Sequence, residues 1–317
     1  MEADLLIACR DGKIEEVKEL FQNPEIDINC KDKFGATPFY LACEFKRIEI
    51  VKYLLESGRK ISLNVKEDDG KIPFWIACRC GHTEIVKILL NVERVTLNKA
   101  DRNGATPFYI ACEFGYIEIV KLLLNDERIN INKADNHNTT PFYIACQNKH
   151  IEIVKLLLND KRIEDINQAK DSGQTPVYAA CEFGHIEIIK LLLNDQRFDI
   201  NKKNQDGYTP FYIACKKGQT EIVKLLLNDE RVDINVHICG ETPFYIACHN
   251  GRTEIVKLLL NDKRADINKA SGNDQTPFWI ACWRGYIEIV KLLLNDERVD
   301  HIHKTDRYGN TPFWVSC

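Results

Sequence analysis

Thr106-Pro107-Phe108-Tyr109-Ile110-Ala111-Cys112 decides the reading of this chain, because it returns along the whole sequence with small changes. Thr37, Thr140, Thr175, Thr209, Thr242, Thr276 and Thr311 open the other copies, and Ile72 stands for Thr in one. The prolines that follow are Pro38, Pro73, Pro107, Pro141, Pro176, Pro210, Pro243, Pro277 and Pro312, separated by 35, 34, 34, 35, 34, 33, 34 and 35 residues. A fixed period of this size marks units that cannot bury an apolar face alone and therefore stack on one another. The length of 317 residues would otherwise suggest two globular domains, but a stack has no single core to outgrow.

Each unit spells out one course of the backbone. Thr106 is a good N-cap and Pro107 fits the first helical position, where no donor is needed. The pattern predicts a short first helix over Phe108 to Phe114, in which Ala111 and Cys112 are small enough for close helix contact. Gly115 suits a left-handed C-terminal position, and Lys46 and Lys149 replace that glycine at modest strain. A second helix follows in Ile117-Glu118-Ile119-Val120-Lys121-Leu122-Leu123-Leu124, with Ile119, Val120, Leu123 and Leu124 on its buried face. Glu118 and Lys121 fall on the solvated face. The polar stretch Asn125 to Arg128 reads as a loop. Lys133 to Asn138 then reads as a turn leading to the next Thr-Pro, with Asn138 left-handed where other units place glycine. Asp274, preceded by Gly272, suggests a shifted turn.

The tetratricopeptide repeat shares the period but needs Trp-x-x-Leu-Gly-x-x-Tyr and a late proline. Here proline opens the first helix. The unit instead resembles the ankyrin repeat, whose Thr-Pro-Leu-His-x-Ala is matched by Thr-Pro-Phe-Tyr-Ile-Ala. Gly-His-Ile-Glu-Ile-Ile at Gly184 to Ile189 and Asp-Ile-Asn at Asp199 to Asn201 add to the likeness, which extends over essentially the whole chain. Departures are a residue added near Asn125 to Arg128, and Tyr or Trp where the family has His. The resemblance implies an all-α ankyrin-repeat solenoid of stacked helix-turn-helix units with protruding β-hairpin-like turns. Its expected division is a charged capping repeat over residues 1–35, eight repeats over 36–310, and the first helix of an incomplete repeat over 311–317. Because that last piece is apolar, with Trp314 and Val315 lacking a second helix, the expectation is of a longer protein or a chain cut within a repeat.

Composition narrows the function. A net charge of −4 gives no electrostatic footprint for nucleic acid, and no run of apolar residues is long enough to insert in a membrane. Of thirteen cysteines, ten recur once per unit: Cys9, Cys43, Cys78, Cys112, Cys146, Cys181, Cys215, Cys248, Cys282 and Cys317. Stacked helices lie roughly 8–10 Å apart, too far for neighbouring members of that column to form disulfides. Unpaired thiols imply an intracellular, reducing and cytoplasmic setting. Cys78 and Cys80 lack a second ligand pair, and His301-Ile302-His303 lacks a carboxylate cluster, so no metal and no cofactor is expected. No phosphate loop, zinc-protease motif or nucleophile elbow occurs, and no catalytic residue is assigned.

The aromatic column Tyr40, Trp75, Tyr109, Tyr143, Tyr178, Tyr212, Tyr245, Trp279 and Trp314 could stack bases or form a structural ladder. Its recurrence in every unit favours the ladder. Binding then belongs to positions that escape the repeat. In the ankyrin family these lie at the turn tips and first-helix ends, along a concave face. The resemblance places partner contacts at Lys33, Phe34, Arg102, Tyr208, Arg307 and Tyr308 on the tips. On the helix ends it places them at Phe45, Phe114, Lys216, Lys217, His249, Trp283 and Arg284. The expected partner is a protein bound by a monomeric, non-catalytic scaffold. The alternative is a targeting or regulatory region of a longer enzyme, channel or secreted effector.

Overall fold

The computed structural model describes residues 1–299 and 303–315. His301 and Ile302 of the His-Ile-His stretch, and Cys317 of the cysteine column, lie outside the described residues. Two compact units are formed, Met1–Asp165 and Ile166–Cys317.

In the first unit, helix pairs follow the expected order. They are α1 (Glu2–Asp11) with α2 (Ile14–Phe21), α3 (Pro38–Glu44) with α4 (Ile48–Glu56), and α5 (Pro73–Arg79) with α6 (Thr83–Leu90). Then come α7 (Pro107–Phe114) with α8 (Ile117–Leu124), and α9 (Pro141–Gln147) with α10 (Ile151–Asn159). The second unit pairs α11 (Pro176–Phe183) with α12 (Ile186–Leu193), and α13 (Pro210–Lys217) with α14 (Thr220–Leu227). It continues with α15 (Pro243–His249) and α16 (Thr253–Asn261), α17 (Pro277–Trp283) and α18 (Ile287–Leu294), and the single turn α19 (Pro312–Val315). Among the described residues no strand forms.

The local causes are those the residues dictate. Thr106 Oγ1 accepts the Tyr109 N–H at 3.1 Å, and the same cap recurs at Thr37, Thr140, Thr175, Thr209, Thr242 and Thr276. Ile72 supplies no such bond. Gly115 has φ 74°, and a Cβ there would sit 2.5 Å from the His150 ring, so conformation and close approach both require glycine. Lys46, Lys149 and Asn138 do adopt positive φ, at 59°, 63° and 58°.

Within each unit the first helices lie side by side in an inner row and contact one another far more than the second helices do. Ala111, Cys112, Ala214 and Cys215 have no exposed surface, which lets that row close tightly. Ile119, Val120 and Leu123 of α8 are fully covered. Leu124 of the same helix is only half-buried.

The turns carry hairpin-like bonds. Asp101 N–H donates to Ala105 O and Gly104 N–H to Asp101 O, while Asp101 Oδ1 accepts the N–H groups of Asn103 and Ala105. Successive tips are joined through Asp68 N–H to Phe34 O, Arg102 N–H to Asp69 O, and Asn136 N–H to Asn103 O. The expected shift around Asp274 does not occur. Ser271 takes the place of the aspartate, its N–H donating to Gln275 O, and Asp274 itself adopts φ 61°. The real irregularity is one turn earlier. Ile238 and Glu241 pair across a two-residue Cys239-Gly240 turn with φ of 50° and 87°, the mark of a primed hairpin turn. The 33-residue spacing from Pro210 to Pro243 leaves room for nothing longer.

Twelve described cysteines are free, and the nine described members of the column are buried. Burial pushes the Cys9 thiol up to about 12 and likewise raises Cys43, Cys78, Cys112, Cys146, Cys181, Cys215 and Cys248. Thiolate, not thiol, is the reactive form. Brief alkylation of the native protein is therefore expected to mark exposed Cys239 first and to reach the column only after denaturation. Labelling of Cys112 or Cys215 as fast as Cys239, read by peptide mass spectrometry, would contradict this packing.

Candidate protein-interaction surface

The aromatic column is structural in both units. Tyr40, Trp75, Tyr109, Tyr143, Tyr178, Tyr212, Tyr245 and Trp279 are all buried, whereas Trp314 is exposed. Their polar ends reach the turn of the following repeat. Trp75 Nε1 donates to Ala105 O at 2.9 Å, and Trp279 Nε1 to Asn310 O at 3.0 Å. Tyr109 and Tyr212 hydroxyls approach Asp135 Oδ2 and Glu241 Oε2 at 3.4 and 3.3 Å. Rings so covered offer no face to a base.

Two further ladders went unread in the sequence. Asn98 Nδ2 donates to Arg128 O at 2.7 Å while its Oδ1 accepts the Asn130 N–H at 2.8 Å, tying one repeat to the next. Asn29, Asn64, Asn132, Asn167, Asn201 and Asn235 make the same pair of bonds. The stretch read as a polar loop also has a task. Arg231 is held by Asp229 at 2.6 Å and its Nη2 donates to Leu193 O at 2.8 Å, capping the end of α12. Arg128, Arg162, Arg264 and Arg298 cap the preceding second helices in the same manner. Arginine suits a helix C-terminus, where unpaired carbonyls carry partial negative charge. Asn and Arg recur in register with the prolines, so the column reading that found Cys could have found them.

What escapes these ladders is exposed. In the first unit, Lys33 Nζ lies 4.9 Å from the centroid of Phe34, and both line a groove of about 740 Å³ with Leu6, Ile7, Arg10 and Leu41. Phe114, at the end of α7, carries the Arg79 guanidinium 3.9 Å above its ring and stacks on Tyr116. Phe45 is exposed at the end of α3, and Arg102 at its turn tip stands 3.9 Å from Asp69.

In the second unit the expected residues converge more closely. Trp283 is 49% exposed, stacks on buried Trp279 at 6.1 Å, and bears the Arg284 guanidinium 4.5 Å from its ring centroid. Arg284 Nη2 also lies 2.9 Å from His249 Nε2. A guanidinium only donates, so Nε2 accepts and His249 is neutral with its proton on Nδ1. Burial, then the charge of Arg284, hold His249 below its ordinary value, with Lys216 acting in the same direction and Glu241 opposing. Lys216 Nζ sits 4.5 Å over Tyr208, which stacks on Tyr212 at 4.8 Å. Lys217 is less available, being 3.6 Å from Glu182. Arg307 Nη2 turns back to Gly272 O at 3.2 Å, leaving Tyr308 beside it 77% exposed at the tip.

The sequence profile described as "Ankyrin repeats (3 copies)" matches residues 5–101, 58–135, 91–169, 128–204, 162–238, 193–271 and 231–306, together nearly the whole chain. The chain belongs to the ankyrin repeat family. A stretch of 57 residues is 37% identical to part of "Palmitoyltransferase akr1" of Schizosaccharomyces pombe (strain 972 / ATCC 24843). That stretch is 18% of this chain and 9% of that relative's length. Ankyrin repeats serve protein–protein interaction and are generally non-catalytic. Among the described residues of this ankyrin chain, no helix is long and apolar enough to cross a membrane. No group of three or more metal-ligating side chains is gathered among them either.

Proposed function

We propose that this chain is a protein-interaction scaffold whose main contact centre lies in the second unit, around Trp283, Arg284, His249 and Tyr308. Supporting contacts fall at Lys216 and Tyr208, and in the first unit at Phe34 and Phe114. One observation carries the reading: Trp283 exposes half its surface on a repeat that folds with Glu, Arg, Gln, Lys or His at the equivalent place. Its ring is held rigid between Trp279 and Arg284, so little side-chain freedom is lost on binding. Trp, Tyr and Arg are the residue types most often found at interface hot spots.

Trp283→Ala is expected to weaken the partner complex by about 2 kcal/mol, roughly thirtyfold, with little change in melting temperature. Proteins retained by the purified chain would be identified by mass spectrometry and titrated against both forms. Equal affinity of the variant for every true partner removes this centre, and a large fall in melting temperature makes Trp283 part of the core instead.

A second reading makes the repeats the docking region of a larger enzyme. What favours it is the short match inside a palmitoyltransferase, most of whose length this chain does not match. Under that reading the same face would hold the enzyme's target.

A further inference from the structure

The first-helix ends read Glu44, Arg79, Glu113, Gln147 and Glu182 in the earlier repeats, and Lys216-Lys217, His249-Asn250 and Trp283-Arg284 in the last three, which place no acid there. In the second unit the cations that recur on the second helices and in the loops after them are neutralised at home. Lys190, Lys224, Lys257 and Lys291 pair with Glu at 2.6–2.9 Å, and Arg231, Arg264 and Arg298 pair with Asp at 2.6–2.7 Å. Among the described residues, Lys216 and Arg284 have no acidic partner within ion-pair distance. Each lies instead over an aromatic ring, 4.5 Å from its centroid. His249, on the helix between theirs, accepts from Arg284 and so holds the guanidinium in place without adding charge.

We propose that Lys216 and Arg284, on their Tyr208 and Trp283 platforms, form a receptor for an acidic segment of a partner protein. This rests on the scaffold reading above and names the chemistry of what is bound. A guanidinium lying on a ring keeps its edge free, and that planar edge matches a carboxylate with two parallel bonds. Lys216, a compact charge on the neighbouring platform but one, suits a second carboxylate further along the segment. The aromatic rings give apolar side chains between the two acids somewhere to rest. A nucleic acid fits less well, because a phosphate backbone needs a run of cations and the site offers two separated ones.

The test is selection of a random twelve-residue peptide display library on the purified full chain, beside the Lys216→Glu/Arg284→Glu double variant. Selected peptides are expected to be enriched in Asp and Glu, and the enrichment is expected to vanish on the variant. The best peptide, measured by fluorescence anisotropy, should bind the variant at least tenfold more weakly, and its Asn/Gln counterpart should bind the native chain as weakly. Lys257→Glu, which makes the same charge change at a lysine paired with Glu254 on second helix α16, serves as the charge control and should change binding less than threefold. Unchanged melting temperature of the double variant shows that the fold is intact; if it falls, the milder Lys216→Gln/Arg284→Gln pair replaces it. No acidic enrichment, equal enrichment on the variant, or tighter binding of a twenty-nucleotide single strand overturns the proposal. Loss of partner binding in Trp283→Ala with none in the charge variant sinks the acidic receptor alone. No loss in either variant sinks the scaffold centre as well.

Discussion

Replacement of Leu226 by alanine is expected to remove about 2–5 kcal/mol of stability from the second unit, the range for deleting a fully buried leucine. Leu226 has no exposed surface and stands beside Ile222 and Val223 on the covered face of α14, between α12 and α16. A stacked repeat has few ways to collapse around such a gap, because the flanking helices are themselves held by the repeats beyond them. Stability in a stack is a sum of local and nearest-neighbour contributions, so the loss should concentrate in α12 to α16. Urea unfolding gives the size, and amide exchange gives the place: faster exchange there, with α4 to α6 unchanged. A cost under about 1 kcal/mol, or exchange rising evenly along the chain, would show that the helices do not pack in this way.

Arg231→Met should cost the second unit roughly 1.5 kcal/mol, the lower end for hydrogen bonds to charged groups, since the Arg231 side chain is 29% exposed. The loss has a pH signature. Hydrogen bonding from Arg231 holds the Asp229 carboxyl below its ordinary 3.8, although burial opposes it. A depressed carboxyl contributes stability that is complete above its unfolded value and disappears as pH falls through its folded one. The gap between native and variant stability should therefore be widest near neutrality and narrow below about pH 4. Asp126, Asp160, Asp195, Asp262 and Asp296 are lowered by their own arginines, so the native chain should show a steep acid limb. Burial raises Glu44 and Glu113, which act in the opposite sense but are fewer. A gap that stays constant down to pH 3 would separate the arginine's contribution from Asp229.

The architecture was legible because one short string carries a cap, a helix start and a tight contact at once. Thr106, Pro107 and Ala111 each have a single sensible place, and they agree. Asn98 and Arg128 were passed over for a physical reason. Their hydrogen bonds reach backbone carbonyls some 30 and 38 residues away, and a backbone acceptor leaves no trace in side-chain chemistry. The shifted turn that Asp274 and the preceding Gly272 suggest does not form, because the Ser271–Gln275 pairing fixes which residue must bend. At the surface, residue type alone indicated Trp283 and Arg284. That His249 would bridge to Arg284, and that Lys217 would turn to Glu182, depended on rotamers and neighbours from separate repeats.

The asparagine ladder makes the repeats interchangeable parts. Asn98 bonds forward to Arg128 O, and Asn132 bonds forward to Arg162 O in the same way. Excising residues 107–140 would join Thr106 to Pro141 and bring Asn98 opposite Arg162, an identical donor facing an identical carbonyl. The arginine cap, the threonine cap and the turn-tip bond would re-form at the seam without any new side chain. A gene encoding such a protein can gain or lose whole 34-residue modules by unequal recombination and still specify a closed set of bonds. Only the side chains outside the ladders then remain to record what each copy was kept for.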